Sequence, residues 1–418
     1  MGSPGLSGRI GGMSEFSVRA VAEGEQRACL DVLSESLHGK PATDEVWAKM
    51  APSWLAAGKF AAFDDHGTPV GITSSFEVEL TVPGGQKLVT AAVDGVGVRA
   101  DWTRRGILTS MMAVQLEDLA ARGVPLAALH ASEAVIYGRF GYGAATFCRG
   151  VSVERPRAQL RDGVGRDGVV RFVTPAEAVE RVPALYNRFG GTRPGFVSRP
   201  AGWWPGFFDR VVTGNDGYRV AVHSGPDGDD GFVVYQTIDT RDRQAPERGA
   251  LLDIRELHAA TPQAWAGLWR FLLSIDLVSA VAGRGRPLDE PLAELVTDPR
   301  AVNTTEVIDD LWLRLVDVLA ALRARSYGTA EPVVLEVHDK QLPDNDGRYL
   351  VGPDGVERTT AEADLRLDVA TLSSLYLGHG LFGDLALSGR VEVLNETAVA
   401  RADALFHTAR TPWCGTFF

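Results

Sequence analysis

Cysteine is scarce in this chain: Cys29, Cys148 and Cys414 are odd in number and widely scattered, which excludes a disulfide framework and a thiolate metal site. The eight histidines show no paired spacing with one another or with cysteine, so no structural metal is expected. No apolar run approaches the roughly 18 to 20 residues needed to cross a bilayer, and the N-terminus carries no signal peptide pattern. The expectation is a cytoplasmic protein with no membrane partner. Basic residues are outnumbered, 42 Lys and Arg against 54 Asp and Glu, for a net charge of −12. That balance argues against a nucleic-acid partner. It suits a polycationic substrate, and equally it serves solubility.

At 418 residues the chain is too long for one ordinary core, and its 45% hydrophobic and 23% charged content are those of a soluble globular protein. Met1 to Gly12, punctuated by Gly-Ser-Pro-Gly and Gly-Gly, reads as a leader or tail. From Phe16 the pattern gives a short strand, a helix over Glu25 to Leu37, helical spacing around Trp47 to Leu55, and strands near Phe60 to Phe63, Val70 to Leu80 and Leu88 to Val98. The Arg-, Asp- and Gly-rich stretch Arg155 to Gly168 is the clearest linker. Beyond it lie strands at Val169 to Val173, Gly231 to Ile238 and Ala250 to Leu257, with helices opened by Thr174-Pro175-Ala176-Glu177 and Thr261-Pro262. A third region begins with a helix over Leu311 to Ser326, its stripe formed by Leu315, Val318, Leu319 and Leu322. It continues through strands at Val333 to Val337 and Ala363 to Leu367, with a Gly352-Pro353-Asp354-Gly355 turn between them, to a helix from Thr371.

The densest chemical signal lies between Val93 and Gly143. An apolar strand ends in Val96-Gly97-Val98 and is followed by Thr103-Arg104-Arg105-Gly106-Ile107-Leu108-Thr109. Leu108, Met111, Met112, Gln115, Leu116 and Leu119 then recur at helical spacing. Strand, glycine turn and helix start make a place for a pyrophosphate, because backbone N–H groups point inward there and the helix dipole favours an anion. Taken alone, such a turn is more often a solvated loop after a core strand. It is followed by His130-Ala131-Ser132-Glu133 and Ile136-Tyr137-Gly138-Arg139-Phe140-Gly141-Tyr142-Gly143.

The spacing Tyr137-x-x-x-Gly141-Tyr142 resembles the closing motif of the GNAT superfamily of N-acetyltransferases, in which a tyrosine on a short helix faces the thioester sulfur. The longer run from Ala127 to Gly143 resembles the enhanced intracellular survival (Eis) family of aminoglycoside N-acetyltransferases. Two positions depart from the GNAT loop pattern: Thr103 stands where Arg or Gln begins it, and Leu108 where a small residue ends it.

The resemblance implies an α/β fold of mixed sheets: a catalytic GNAT domain over 13–160, a degenerate GNAT-like domain over 161–303 and a sterol-carrier-protein-like domain over 304–418. The second of these lacks an Arg-x-x-Gly turn and is not expected to cradle a pyrophosphate in the same way. A lipid function does not follow from the third, since fold likeness alone does not license it. Acetyl-CoA is the implied co-substrate, with no metal. Its implied contacts are Val96, Gly97 and Val98 on the strand, Arg104, Arg105, Gly106, Ile107, Leu108 and Thr109 at the loop, and Ser132 and Glu133, which could instead be a helix N-cap pair. The implied acceptor is a primary amine of a polycationic small molecule such as an aminoglycoside, and hence an antibiotic-resistance role. The implied assembly is a homohexamer.

Tyr137 is the implied general acid. A tyrosine with a reference pKa of about 10 stays protonated at neutral pH and can supply a thiolate whose conjugate acid lies at about 8.5. The implied general base is the terminal carboxylate of Phe418, and the apolar, aromatic tail from Pro412 to Phe418 is unlike a fraying end. Asp94, Trp47, Trp54 and Phe417 are candidates for the acceptor pocket, and Trp203-Trp204 for its mouth. The alternatives are the same transfer to a lysine side chain or another amine metabolite, and a non-catalytic acyl-CoA or lipid-binding scaffold. No Gly-x-Ser-x-Gly elbow occurs, so a hydrolase is not expected.

Overall fold

The computed structural model describes residues 15–191, 193–209, 217–239 and 249–418. The expected leader or tail at 1–12 lies outside the described residues. Contacts divide the chain into two compact units. One holds the chain up to Ala145 together with Leu311–Thr408 and Phe417–Phe418; the other holds Thr146–Asp310 and Ala409–Thr416.

The first unit opens with β1 (Phe16–Ala20), α1 (Gln26–Ser36), α2 (Asp44–Ala56), β2 (Gly58–Asp64), β3 (Pro69–Thr81) and β4 (Lys87–Val98). It continues with α3 (Ile107–Ala121), β5 (Leu126–Leu129), the one-turn α4 (Ala134–Tyr137) and β6 (Gly143–Ala144). The Thr43 hydroxyl caps α2 by accepting from the Val46 N–H, and Asp44 and Glu45 meet its N-terminal dipole. On α3, Met111, Met112, Gln115, Leu116 and Leu119 of the expected stripe are buried together with Ile107, while Leu108 is half-buried. Truncating one such apolar chain to alanine costs about 2 to 5 kcal/mol. Gly71 of β3 lets this helix approach, since a Cβ there would meet Ile107 Cγ2 at 2.8 Å.

The second unit contains β7 (Phe147–Glu154), β8 (Val169–Phe172), α5 (Pro175–Phe189), α6 (Trp204–Phe208), β9 (Arg219–Gly225) and β10 (Gly228–Ile238). After these come β11 (Ala250–Ala259), α7 (Pro262–Ser274), β12 (Val278–Pro287), α8 (Leu292–Leu295) and β13 (Val302–Asp309). Its sheet runs β13-β7-β12-β11-β10-β9-β8, with β11 and β12 its parallel pair. The expected linker is no bare tether: Leu160 bridges Val296, and Leu160 and Val164 pack against the core of this unit. β7 ends before the expected boundary at 160 and pairs with β12 and β13, while the expected boundary at 303 falls inside β13.

The chain then returns to the first unit with β14 (Trp312–Leu315), α9 (Val318–Ala324), β15 (Val333–His338), β16 (Gly347–Gly352), β17 (Gly355–Thr359) and β18 (Leu365–Asp368). It ends with α10 (Val369–Leu375), α11 (Phe382–Leu387), β19 (Val391–Val393) and α12 (Ala398–Phe406). The single helix expected over Leu311 to Ser326 is instead a strand and a short helix. β14 inserts between β5 and β6, completing the order β1-β2-β3-β4-β5-β14-β6. Leu313, Arg314 and Leu315 are all fully buried there, so the strand shows no alternation and its apolar run mimics a helical stripe. The buried cation is held by Asp339, whose two carboxylate oxygens both accept from Arg314 Nη2, at 2.7 and 2.6 Å. Asp317 then caps α9 at the Ala320 N–H. A third sheet, β17-β16-β15-β18-β19, carries the C-terminal region. All three sheets are mixed. No helix among the described residues is long and apolar enough to cross a membrane.

Candidate active site

The site begins where two strands part. β4 and β5 run parallel through Thr90↔Leu126, Ala91↔Ala127 and Ala92↔Ala128, and the ladder stops there. β4 continues to Val98 paired with β3 alone, through a bulge in which Gly95 and Val96 oppose Thr73. Gly95 takes a φ of +57°, the left-handed geometry that turns a strand at such a bulge. The result is a wedge whose wall is the unladdered edge of Val93 to Val98, including the predicted Val96, Gly97 and Val98.

At the end of that wall the loop prepares an anion site. Arg104 (φ 63°) and Gly106 (φ 85°) are both left-handed, an alternation that gathers backbone N–H groups on one side. A Cβ on Gly106 would meet nothing within 4 Å, so glycine is demanded there by φ and not by space. α3 has no side-chain cap, leaving the N–H groups of Ile107, Leu108 and Thr109 without intrahelical acceptors. Arg104 and Arg105 are exposed on the same turn. Arg105 pairs with Glu15 at 2.5 Å and lies over the Trp102 ring at 4.6 Å. The Thr103 hydroxyl donates to the Ala100 carbonyl at 3.0 Å, so it holds the turn together.

Tyr137 closes the other side of the wedge. It ends α4, is 6% exposed, and lies edge-on to Tyr142 with centroids 6.0 Å apart. Burial pushes its hydroxyl above the usual tyrosine value, outweighing the hydrogen bond from Ser132 that lowers it; Glu133 raises it further. Glu133 holds the N-cap position of α4 without a side-chain cap hydrogen bond. Val93 and Tyr137 share one apolar cluster, with Val96 and Leu108 packed against it. The strand edge, the start of α3 and the tyrosine thus meet in one apolar cluster. Gly141 and Gly143 of the same motif serve packing: Ser373 donates to the Gly141 carbonyl at 3.3 Å, and a Cβ on Gly143 would run into the Ala370 carbonyl on α10.

The last two residues of the chain return to this unit. The Phe418 ring stands 6.0 Å from Phe76 and 4.9 Å from His130, and the Phe417 ring is 4.6 Å from His130, at the end of β5. The strand register places Lys59, Ser74, Phe76 and Asp94 on one face of the sheet, because Lys59 opposes Ser74, Ser74 opposes Asp94 and Phe76 opposes Ala92. Ser74 donates to the Asp94 carboxylate and, at 3.1 Å, to its carbonyl. Burial raises the Asp94 pKa, while Ser74 and Lys59 act against that rise. Lys59 is itself held by the Trp54 carbonyl and by the Ala57 carbonyl at 2.7 Å, and burial lowers its pKa.

Sequence reasoning named Asp94 but missed Lys59, Ser74 and Phe76 as its companions. A lysine inside the apolar run from Gly58 to Phe63 was the available signal. Trp54 and Trp47 lie in the packing between α1, α2 and the sheet, with Trp54 Nε1 donating to the Gln26 carbonyl. Trp203 and Trp204 stand at the start of α6. They belong to the second unit and box the buried Arg199, whose guanidinium lies 4.0 and 5.1 Å from their rings and pairs with Glu256.

Acetyltransferase (GNAT) domain models match residues 17–145 and 195–315, and a sterol carrier protein domain model matches 318–415. The N-acetyltransferase Eis of Mycobacterium tuberculosis is 35% identical over 350 residues, covering 81% of this chain and 83% of that protein. The chain belongs to the Eis family of GNAT N-acetyltransferases. An uncharacterized N-acetyltransferase of Streptomyces coelicolor is 40% identical over 354 residues, covering 82% of this chain and 84% of its own length. The crystal structure of Eis1 from Mycobacterium abscessus superposes with a TM-score of 0.87 at 37% identity, covering 96% of this chain and all of that one. The protein is therefore an acetyl-transferring enzyme, with two GNAT domains followed by a sterol-carrier-like domain. GNAT domains imply acetyl-CoA use. The uncapped start of α3 and the left-handed turn before it fit that donor's phosphates. Among the described residues no group of three or more His, Cys, Asp or Glu could hold a metal ion.

Proposed function

We propose that this Eis-family enzyme acetylates primary amines of polycationic small molecules, aminoglycosides among them, with Tyr137 as general acid and the Phe418 carboxylate as general base. The observation that carries the assignment is the seating of Phe418 on Phe76 and His130, in the same compact unit as Tyr137. Acetyl-CoA supplies the activated thioester. The N–H groups of Ile107, Leu108 and Thr109, with Arg104 and Arg105, hold its phosphates, and the edge of Val96 to Val98 aligns its arm. The Phe418 carboxylate takes a proton from the acceptor amine as the new N–C bond forms. Tyr137 gives its phenolic proton to the sulfur as the C–S bond breaks, and Ser132 keeps the hydroxyl oriented. Asp94, on the same sheet face as Phe76, binds a second ammonium of the polycation.

Two substitutions separate the donor and acceptor halves. Gly106→Ala strains a left-handed turn by about 1–2 kcal/mol. It is expected to raise the KM for acetyl-CoA about tenfold, with the KM for the amine little altered. Asp94→Asn is expected to do the reverse, raising the amine KM and sparing the donor. A folded pKa raised by burial means that Asp94 binds its proton more tightly in the native state, so its contribution to stability falls as pH rises from about 3.9 through the higher native value. Asparagine removes that loss and still accepts from Ser74. The Tm of Asp94→Asn at neutral pH should therefore equal or exceed that of the native chain, and its stability should vary less with pH across that window. Steady-state kinetics and calorimetry check both. An Asp94→Asn enzyme with an unchanged amine KM would remove Asp94 from the acceptor site.

A further inference from the structure

The second unit repeats the parted-strand device of the first and leaves a cleft in it. β11 and β12 run parallel with α7 between them, and their ladder stops at Ile254↔Gly283. β11 also carries its own bulge, at Arg255, opposite Val234 and Tyr235. Past that point Leu257, His258 and Ala259 on one strand and Arg286 and Pro287 on the other border a cavity of about 450 Å³, within the ordinary size range of small-molecule sites.

The backbone means of holding an anion is gone from this cleft. The Thr261 hydroxyl caps α7 by accepting from the Ala264 N–H at 3.0 Å, and Pro262 has no N–H to offer. Side-chain cations stand in its place: Arg188, Arg193, Arg286 and Arg410 line the cavity, against the single carboxylate of Glu290 among its described lining residues. Glu290 is already committed. It accepts from Arg286 at 2.7 and 3.1 Å, and from the indole N–H groups of Trp265 and Trp269 at 2.8 and 3.2 Å. Arg193 is 8% exposed and spends Nε and Nη2 on the Thr411 carbonyl and Asp289, while its Nη1 makes no hydrogen bond among the described residues. Burial lowers its pKa despite Asp289, so an oxyanion beside it would offset that desolvation. The walls are flat and aromatic. Trp413 lies 5.2 Å from His258, with the guanidinium of Arg193 at 5.4 Å and that of Arg286 at 5.8 Å from its ring. His258 itself is kept neutral by burial and by Arg199 and Arg286. In a chain of net charge −12, this cationic, aromatic-walled cleft selects against the amines proposed for the first unit.

We propose that the cleft between β11 and β12 is a second ligand site, which binds a small planar aromatic anion. The oxyanion, a carboxylate or a phosphate, meets Nη1 of Arg193 and the guanidinium of Arg410, and the ring lies against Trp413 and Trp265. The site is separate from acetyl transfer.

The test is calorimetric titration of the intact protein with naphthoate, naphthyl phosphate and uncharged naphthyl alcohol, each with coenzyme A present at saturation so that the first unit is filled. The first two arms tell a carboxylate ligand from a phosphate one. Binding of either anion is expected, weakened about tenfold by Arg410→Gln, a substitution of a largely exposed side chain; Arg188→Gln, also at an exposed position, serves as a second such variant. The coenzyme A affinity and Tm should stay those of the native chain. Absence of binding by both anions would overturn the proposal. So would binding that both variants leave unchanged, or equally tight binding of the alcohol.

Discussion

Tyr137→Phe is expected to lower kcat for acetyl transfer by about 10²- to 10⁴-fold, the range a positioned general acid supplies, while acetyl-CoA binds as it does to the native enzyme. The substitution removes one hydroxyl and keeps the ring that packs edge-on to Tyr142 inside a cluster with Phe140 and Leu129, so folding should survive. The pH profile carries a second signature. An acid acts only while protonated, and burial holds the Tyr137 hydroxyl above the usual tyrosine value. The alkaline limb contributed by this group should therefore lie above a pH of about 10 in the native enzyme and vanish in the phenylalanine variant. Stopped assays of thiol release across pH measure both effects. A variant within a few-fold of native kcat would pass the proton-donating role to another group.

Converting the terminal carboxylate of Phe418 to a carboxamide is expected to have the second large effect, again about 10²- to 10⁴-fold in kcat. The amide leaves the rings of Phe417 and Phe418 against His130 and Phe76, where each aromatic pair is worth about 0.5–1.5 kcal/mol beyond area burial. It withdraws only the base. A few flexible residues added after Phe418 should produce the same loss by carrying the carboxylate away, with acetyl-CoA binding retained. A carboxamide enzyme with an unaltered acid limb in its pH profile would exclude Phe418 as the base.

The first GNAT domain was legible because its signals are local. Gly106 before the Leu108, Met111 and Met112 stripe specifies a turn and a helix within a dozen residues, and both occur. What the sequence concealed depends on pairing across distance. β14 pairs with β5 far upstream, and a central strand buried on both faces has no alternation, which is why Leu315 read as part of a helix. The grouping of Lys59, Ser74, Phe76 and Asp94 exists only once β2, β3 and β4 are in register, so spacing along the chain could not give it. Phe418 was a candidate through family resemblance alone, and its ring contacts are a long-range property of the fold. The tryptophan pair at 203 and 204 was ambiguous for a related reason: aromatic clustering signals packing as readily as binding, and the pair packs around Arg199.

The most direct measurement is thiol release from acetyl-CoA by the intact enzyme over a panel of aminoglycosides, small linear polyamines and lysine peptides, with mass spectrometry of each acceptor. The account predicts turnover with acetyl groups gained on the aminoglycosides, and its loss in both Tyr137→Phe and the Phe418 carboxamide. Tight acetyl-CoA binding without turnover on any amine, or transfer confined to lysine peptides, would contradict it.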